Sequence, residues 1–108
     1  MSAAALLVFT NCPDPASAEA LAAALVELRL AACANVLAPC RSVYRWQGQV
    51  EQADEVPLLV KTTAARYAAL EAEIRARHPY ELPEIVAVPI AAGLPAYLQW
   101  LADETRPD

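Results

Sequence analysis

Two glycines and one lysine in a chain of 108 residues exclude several functions at once. With so little glycine, no Gly-rich loop follows a strand to cradle phosphates, and no serine sits in a nucleophile elbow. Lys61 is the only lysine, and eight basic residues stand against thirteen acidic ones for a net charge of -5. Nucleic acid and anionic membrane surfaces recruit clustered Lys and Arg, so neither is an expected partner. A lone histidine, His78, rules out a two-histidine metal motif and a zinc finger, and no Cys-x-x-Cys pair occurs. Cys12, Cys33 and Cys40 are an odd set that cannot pair completely within one chain. The apolar segment from Met1 to Thr10 carries no basic flank and is far too short to span a bilayer. The expected compartment is therefore the cytoplasm, with the thiols reduced.

What is present is apolar residues, at 57% of the chain, above the usual ~45–50%. Much of the excess is alanine, which fills helices without demanding a large core. Some apolar surface is left for a partner. The length suits one domain over residues 1–108.

Nine prolines punctuate the elements. Ala5 to Thr10 reads as a buried strand. Asp14-Pro15 opens a helix, with Asp14 as acceptor for first-turn amides, and Leu21, Leu25 and Leu28 make its apolar stripe through about Leu30. On that reading Cys33 falls at a helix end. Ala34 to Leu37 is extended up to the break at Pro39. Arg41 to Gln47 alternates, with Val43 on one side and Tyr44 and Trp46 on the other. Gln47-Gly48 is a tight turn, though Asn-Gly would signal it more strongly. The return strand runs from Gln49 to about Thr62, and Pro57 within it demands an edge or a bulge. Thr62 or Thr63 caps a second helix that ends near Arg77. Glu84 to Ile90 is a strand, and Leu94-Pro95 starts a last helix with Leu94, Tyr97, Leu98 and Leu101 on one side.

The order β-α-β-β-α-β-α predicts an α+β fold, a ferredoxin-like βαββαβ unit plus a C-terminal helix on an antiparallel sheet. The middle hairpin has arms of about a dozen residues, or roughly 40 Å, twice the usual strand. The sheet beneath cannot pair all of it, and the overhang with Tyr44, Trp46 and Val50 predicts docking onto further copies of the chain.

The segment His78-Pro79-Tyr80-Glu81-Leu82-Pro83-Glu84 holds polar side chains stiffly between two prolines, as a binding site prefers. His78 is either a helix C-terminal cap or a ligand to a bound group. Cys12, just past the first strand, is either a small buried thiol or, with an imidazole, a partner for copper or zinc. Glu51, Asp54 and Glu55 are either a solvated face or a hard-cation site.

An ordered set of phrases resembles the divalent-cation-tolerance (CutA) family: Cys12-Pro13-Asp14, Leu30-Ala31-Ala32-Cys33-Ala34-Asn35-Val36, Ser42-Val43-Tyr44-Arg45-Trp46-Gln47-Gly48, Leu59-Val60-Lys61-Thr62-Thr63, His78-Pro79-Tyr80-Glu81, Pro83-Glu84-Ile85 and Tyr97-Leu98-Gln99-Trp100-Leu101. The resemblance implies a ferredoxin-like fold shaped like the PII signalling proteins, a homotrimer with hairpins reaching across subunits, and an association with copper or another divalent cation. It implies no organic cofactor and no settled catalytic activity. Thr10 stands where some members carry a cysteine, and Arg77 where some carry a second histidine. The implied metal ligands therefore reduce to His78, with Cys12 as substitute. Cys33, Trp46, Lys61, Tyr80 and Glu84 are the expected ligand-binding residues at clefts between subunits. Two rival readings stay open: a PII-like regulatory module that binds a small metabolite and a protein partner, and an enzyme built on Cys12 or His78.

Overall fold

A computed structural model describes residues 4–107. The first strand, β1 (Ala5–Cys12), runs two residues beyond the expected end and is buried on alternate positions. Val8, Thr10 and Cys12 point into the core, while Phe9 and Asn11 face the other way and are half-buried. Helix α1 (Pro15–Glu27) starts as its sequence dictates, with Asp14 Oδ1 accepting from Ser17 N–H at 2.7 Å and proline in its first turn. It buries Ala18, Leu21, Ala22 and Leu25, but stops before Leu28, which is 45% exposed instead of completing the stripe. The stop is Arg29, a non-glycine residue at φ 60, which no composition rule announces. Cys33 therefore opens strand β2 (Cys33–Val36) rather than closing a helix.

Strands β3 (Cys40–Trp46) and β4 (Gln49–Thr63) form the long hairpin. Helix α2 (Ala64–Arg77), strand β5 (Val86–Pro89) and helix α3 (Pro95–Glu104) follow. β5 is shorter than the expected Glu84–Ile90 because only four of its residues find partners on β1. The strand order is β2-β4-β1-β5, all antiparallel, with β3 paired to the far half of β4. This is the predicted ferredoxin-like arrangement with its C-terminal helix.

The interruption between β2 and β3 accounts for Pro57. Val36 faces Leu58 and Cys40 faces Glu55, so three residues on one strand oppose two on the other. That is a bulge, and Pro57 lies opposite it, where a missing N–H breaks no ladder. Its carbonyl accepts from Leu37 N–H at 2.9 Å.

Both main helices pack on one face of the sheet. Leu21 and Leu25 of α1 and Leu70 and Ile74 of α2 close over Val8, Val56, Leu58 and Val60. The other face carries Leu7, Phe9, Leu59, Val86 and Val88, and the two valines are half exposed. Arg29 clamps the end of α3, donating from Nε to the Arg106 carbonyl at 2.7 Å and from Nη2 to that of Asp103 at 3.0 Å. On α3 only Leu101 is fully buried; Leu94 is 71% exposed, so the expected stripe is only partly used. No helix among the described residues is long and apolar enough to cross a membrane.

The candidate site at the base of the hairpin

β1 ends with Cys12 opposite Val56, and beyond that pair the seven residues Gln49–Glu55 of β4 bond only to β3. The overhang is about 23 Å long. Between it and the Tyr80–Val86 loop lies a trough of about 840 Å³. Trp46, Tyr80 and Glu84, three of the expected ligand-binding residues, line this trough together with Asn11, Tyr44 and Glu55. Asn11 was not singled out by the sequence, and Glu55 only as one of the acidic residues of the hairpin. Asn11 Nδ2 donates to Glu84 Oε1 at 3.3 Å. Glu55 receives the Tyr80 hydroxyl, and burial followed by this carboxylate pushes the Tyr80 phenol far above its ordinary range. The acidic run Glu51-Gln52-Ala53-Asp54-Glu55 is thus divided: Asp54 pairs with Arg41 at 3.0 Å on the exposed hairpin, while Glu55 turns inward.

His78 sits behind the trough with its ring 4.7 Å from that of Tyr80. It is the C-cap of α2, and it also ties that helix end to the sheet. Tyr80 N–H donates to Nδ1 at 3.1 Å, so the proton resides on Nε2, which donates to the Asn11 carbonyl at 2.6 Å. Both ring nitrogens are therefore engaged, and the 8% exposed imidazole has no lone pair to offer. Cys12 shares a small depression with His78, lined also by Ser17 and Leu21. Burial, then Asp14 and Glu55, push its thiol upward, against thiolate formation. The sequence pairing of Cys12 with His78 thus holds in space, but within one chain the two do not fit a metal ion. No three metal-type side chains converge anywhere among the described residues.

Cys33 and Lys61 lie elsewhere. They face each other across β2 and β4, and Lys61 is opposite Leu7, five positions along β4 from Val56. That places them about 16 Å from Cys12. Asn35 Oδ1 gathers both, accepting from Lys61 Nζ at 3.3 Å and from Cys33 Sγ at 3.8 Å. Lys61 Nζ also lies 5.9 Å from the centre of the Tyr97 ring. The seven expected residues therefore form two groups in one chain, one at each end of the sheet.

Comparison with known proteins agrees with this frame. A family model described as CutA1 divalent ion tolerance protein matches residues 6–104. The divalent-cation tolerance protein CutA of Thermus thermophilus is 48% identical over 99 residues, covering 92% of this chain and 96% of that protein. Human CutA is 40% identical over 98 residues, covering 91% of this chain and 55% of the human protein. Among solved structures, the Thermus thermophilus protein superposes with a TM-score of 0.93 at 46% identity over 94% of this chain and 99% of that one. CutA from Xylella fastidiosa gives 0.91 at 45% identity, over 94% and 98%. Sequence, topology and strand order agree, and the chain belongs to the CutA1 divalent ion tolerance family.

Proposed function

We propose that this divalent-cation tolerance protein works as a cytoplasmic homotrimer that takes up copper or another divalent cation, or a small ligand, in clefts between subunits. The observation that carries the reading is the seven-residue overhang of the β3–β4 hairpin. Among the described residues its outer strand pairs only with β4, and the hairpin presents Val43 and Val50, each 62% exposed. A bare edge of this kind invites pairing with a copy of itself, and a heterologous contact closes into a ring after three copies. The division of Cys33 and Lys61 from Trp46, Tyr80 and Glu84 fits the same reading, because a neighbouring subunit can bring one end of the sheet to the other. So does the absence of three convergent metal-type side chains among the described residues: the cation, as cargo, needs donors from a second subunit. Glu55, Glu81 and Glu84 line the trough and supply the hard oxygens a divalent cation accepts. A structural role suits Cys12 and His78 better than a catalytic one, since the thiol is held protonated and the imidazole is fully bonded. Three free thiols suit a reducing compartment.

Sedimentation equilibrium followed by copper(II) calorimetry on wild type, Glu84→Gln and His78→Ala tests the reading. The expected mass is three times the chain's 11.6 kDa. Copper binding should weaken at least tenfold in Glu84→Gln and survive His78→Ala. A monomeric mass, or a trimer that binds no divalent cation, overturns it.

A further inference from the structure

We infer a second binding site, for the phosphate group of a small molecule, in the cavity at the start of α2. It lies at the Ala5–Thr63 end of the sheet, away from the trough, and does not depend on the trough's role. The cavity, of about 700 Å³, is bounded by the first turn of α2, the start of β1 and the side of α3 that carries Leu98, Ala102 and Asp103.

The backbone is short of acceptors here. Ala64 N–H is satisfied by the Ala4 carbonyl at 2.8 Å, but Ala65 and Arg66 amides have no carbonyl one turn back within the helix. A threonine at the N-cap ordinarily accepts from one of them. Thr63 has the extended backbone of an N-cap, at φ -117 and ψ 159, yet its side chain makes no capping bond. It is only 3% exposed, and it lines the cavity. Its hydroxyl makes no cap bond and is not among the fully buried unpartnered atoms, which leaves it available on the cavity wall to a bound group.

Two guanidinium groups border the same space. Arg66 spends Nε on a long 3.4 Å bond to the Arg29 carbonyl, and its terminal nitrogens have no hydrogen-bond partner among the described residues. Arg106 bonds Asp103 Oδ1 at 3.0 Å through Nη2. Asp103 is the one carboxylate among the described lining residues, and it is already held by Arg106 and by Gln99 Nε2 at 2.9 Å. In a chain of net charge -5, the described lining residues set two guanidiniums against one carboxylate, and the positive end of the α2 dipole adds to them. One hydroxyl, two amides and two guanidiniums exceed what a planar carboxylate can accept. They suit the three terminal oxygens of a phosphate group.

The test is an amide-resolved NMR titration of the whole protein with inorganic phosphate, matched at constant ionic strength by sodium acetate and by sodium chloride. Phosphate should shift the Ala65 and Arg66 amides saturably, and acetate should bind at least tenfold more weakly. Arg66→Gln, on a partly exposed side chain, should weaken phosphate at least tenfold. Thr63→Val should do so several-fold, and the wild-type titration stands even if that buried variant folds poorly. Shifts that do not saturate, equal binding of acetate, or unchanged phosphate affinity in Arg66→Gln each overturn the site.

Discussion

At the scale of single residues, the polar groups of the core are unequal. Thr62 Oγ1 donates to the Leu30 carbonyl at 2.6 Å and pins β4 to the chain leaving α1. Thr10, 1% exposed on β1, holds its hydroxyl among apolar side chains with no partner. Removing an unsatisfied buried hydroxyl while keeping its shape relieves a desolvation penalty, so Thr10→Val should raise stability by about 1–2 kcal/mol in urea unfolding. A loss of stability would show that the hydroxyl is satisfied after all. A second expectation concerns pH. The Cys12 thiol is raised above its ordinary 9.0 by burial, and the Tyr80 phenol above its ordinary 10.0 by burial and by Glu55. Both groups prefer the protonated form when folded. The stability they contribute is complete below those ordinary values and is lost as pH rises past them. Urea midpoints should therefore fall from about pH 9 upward, with a shallower slope in Cys12→Ala; an unchanged slope would remove Cys12 from the explanation. The sequence offered Cys12 as a buried thiol but not the state of Thr10 or Tyr80, because burial and partner geometry decide those. The same limit applies to His78. Its position as a helix cap could be read from the following proline, but its bond to the Asn11 carbonyl joins residues 67 apart.

At the scale of elements, the sequence was most readable where a local rule has no competitor. Asp14-Pro15 starts α1 as capping chemistry requires, and Pro57 marked the one irregularity of the long strand. It was least readable where a residue acts against its type. Arg29 ends α1 in a left-handed conformation, which displaced the expected boundary and put Cys33 on the wrong kind of element. The hairpin turn has the same character. Gln47 and Gly48 both have positive φ, at 49 and 79, the combination a two-residue type I′ turn demands. Glycine adopts it freely, whereas glutamine is strained there by roughly 1 kcal/mol. Asparagine tolerates that region better, so Gln47→Asn should stabilise the protein by about 0.5 kcal/mol, seen as a higher thermal midpoint. A lower midpoint would mean that the glutamine side chain makes a contact in the assembly that outweighs its backbone strain.

At the scale of the molecule, composition and topology converge on one property. An apolar fraction of 57% exceeds what a small core needs, and the surplus is found on the outside. Val86 and Val88 lie on the sheet face away from α1 and α2, and Val43 and Val50 on the overhang. The extents of 46 × 26 × 23 Å reflect that hairpin projecting from an otherwise rounded body. The fold was legible because hydrophobic period and turn residues act locally. The trough was only half legible, because Asn11 reaches it through the β1–β4 register and Glu55 through the β3–β4 register, which no short motif encodes. If the overhang is the assembly element, charge placed there should act on association and spare the fold. Val43 faces Gln52 and Val50 faces Arg45, so both valines project from one face of the hairpin, beyond the last pair of β1 with β4. The double variant Val43→Glu, Val50→Glu should keep its circular dichroism and lose mass in sedimentation, because buried carboxylates at a contact are costly while solvated ones on a free hairpin are not. The apolar sheet face would then be bared, and dye binding to exposed apolar surface should rise as the mass falls. An assembly that withstands both charges would place the contact on the sheet face alone and leave the hairpin outside it.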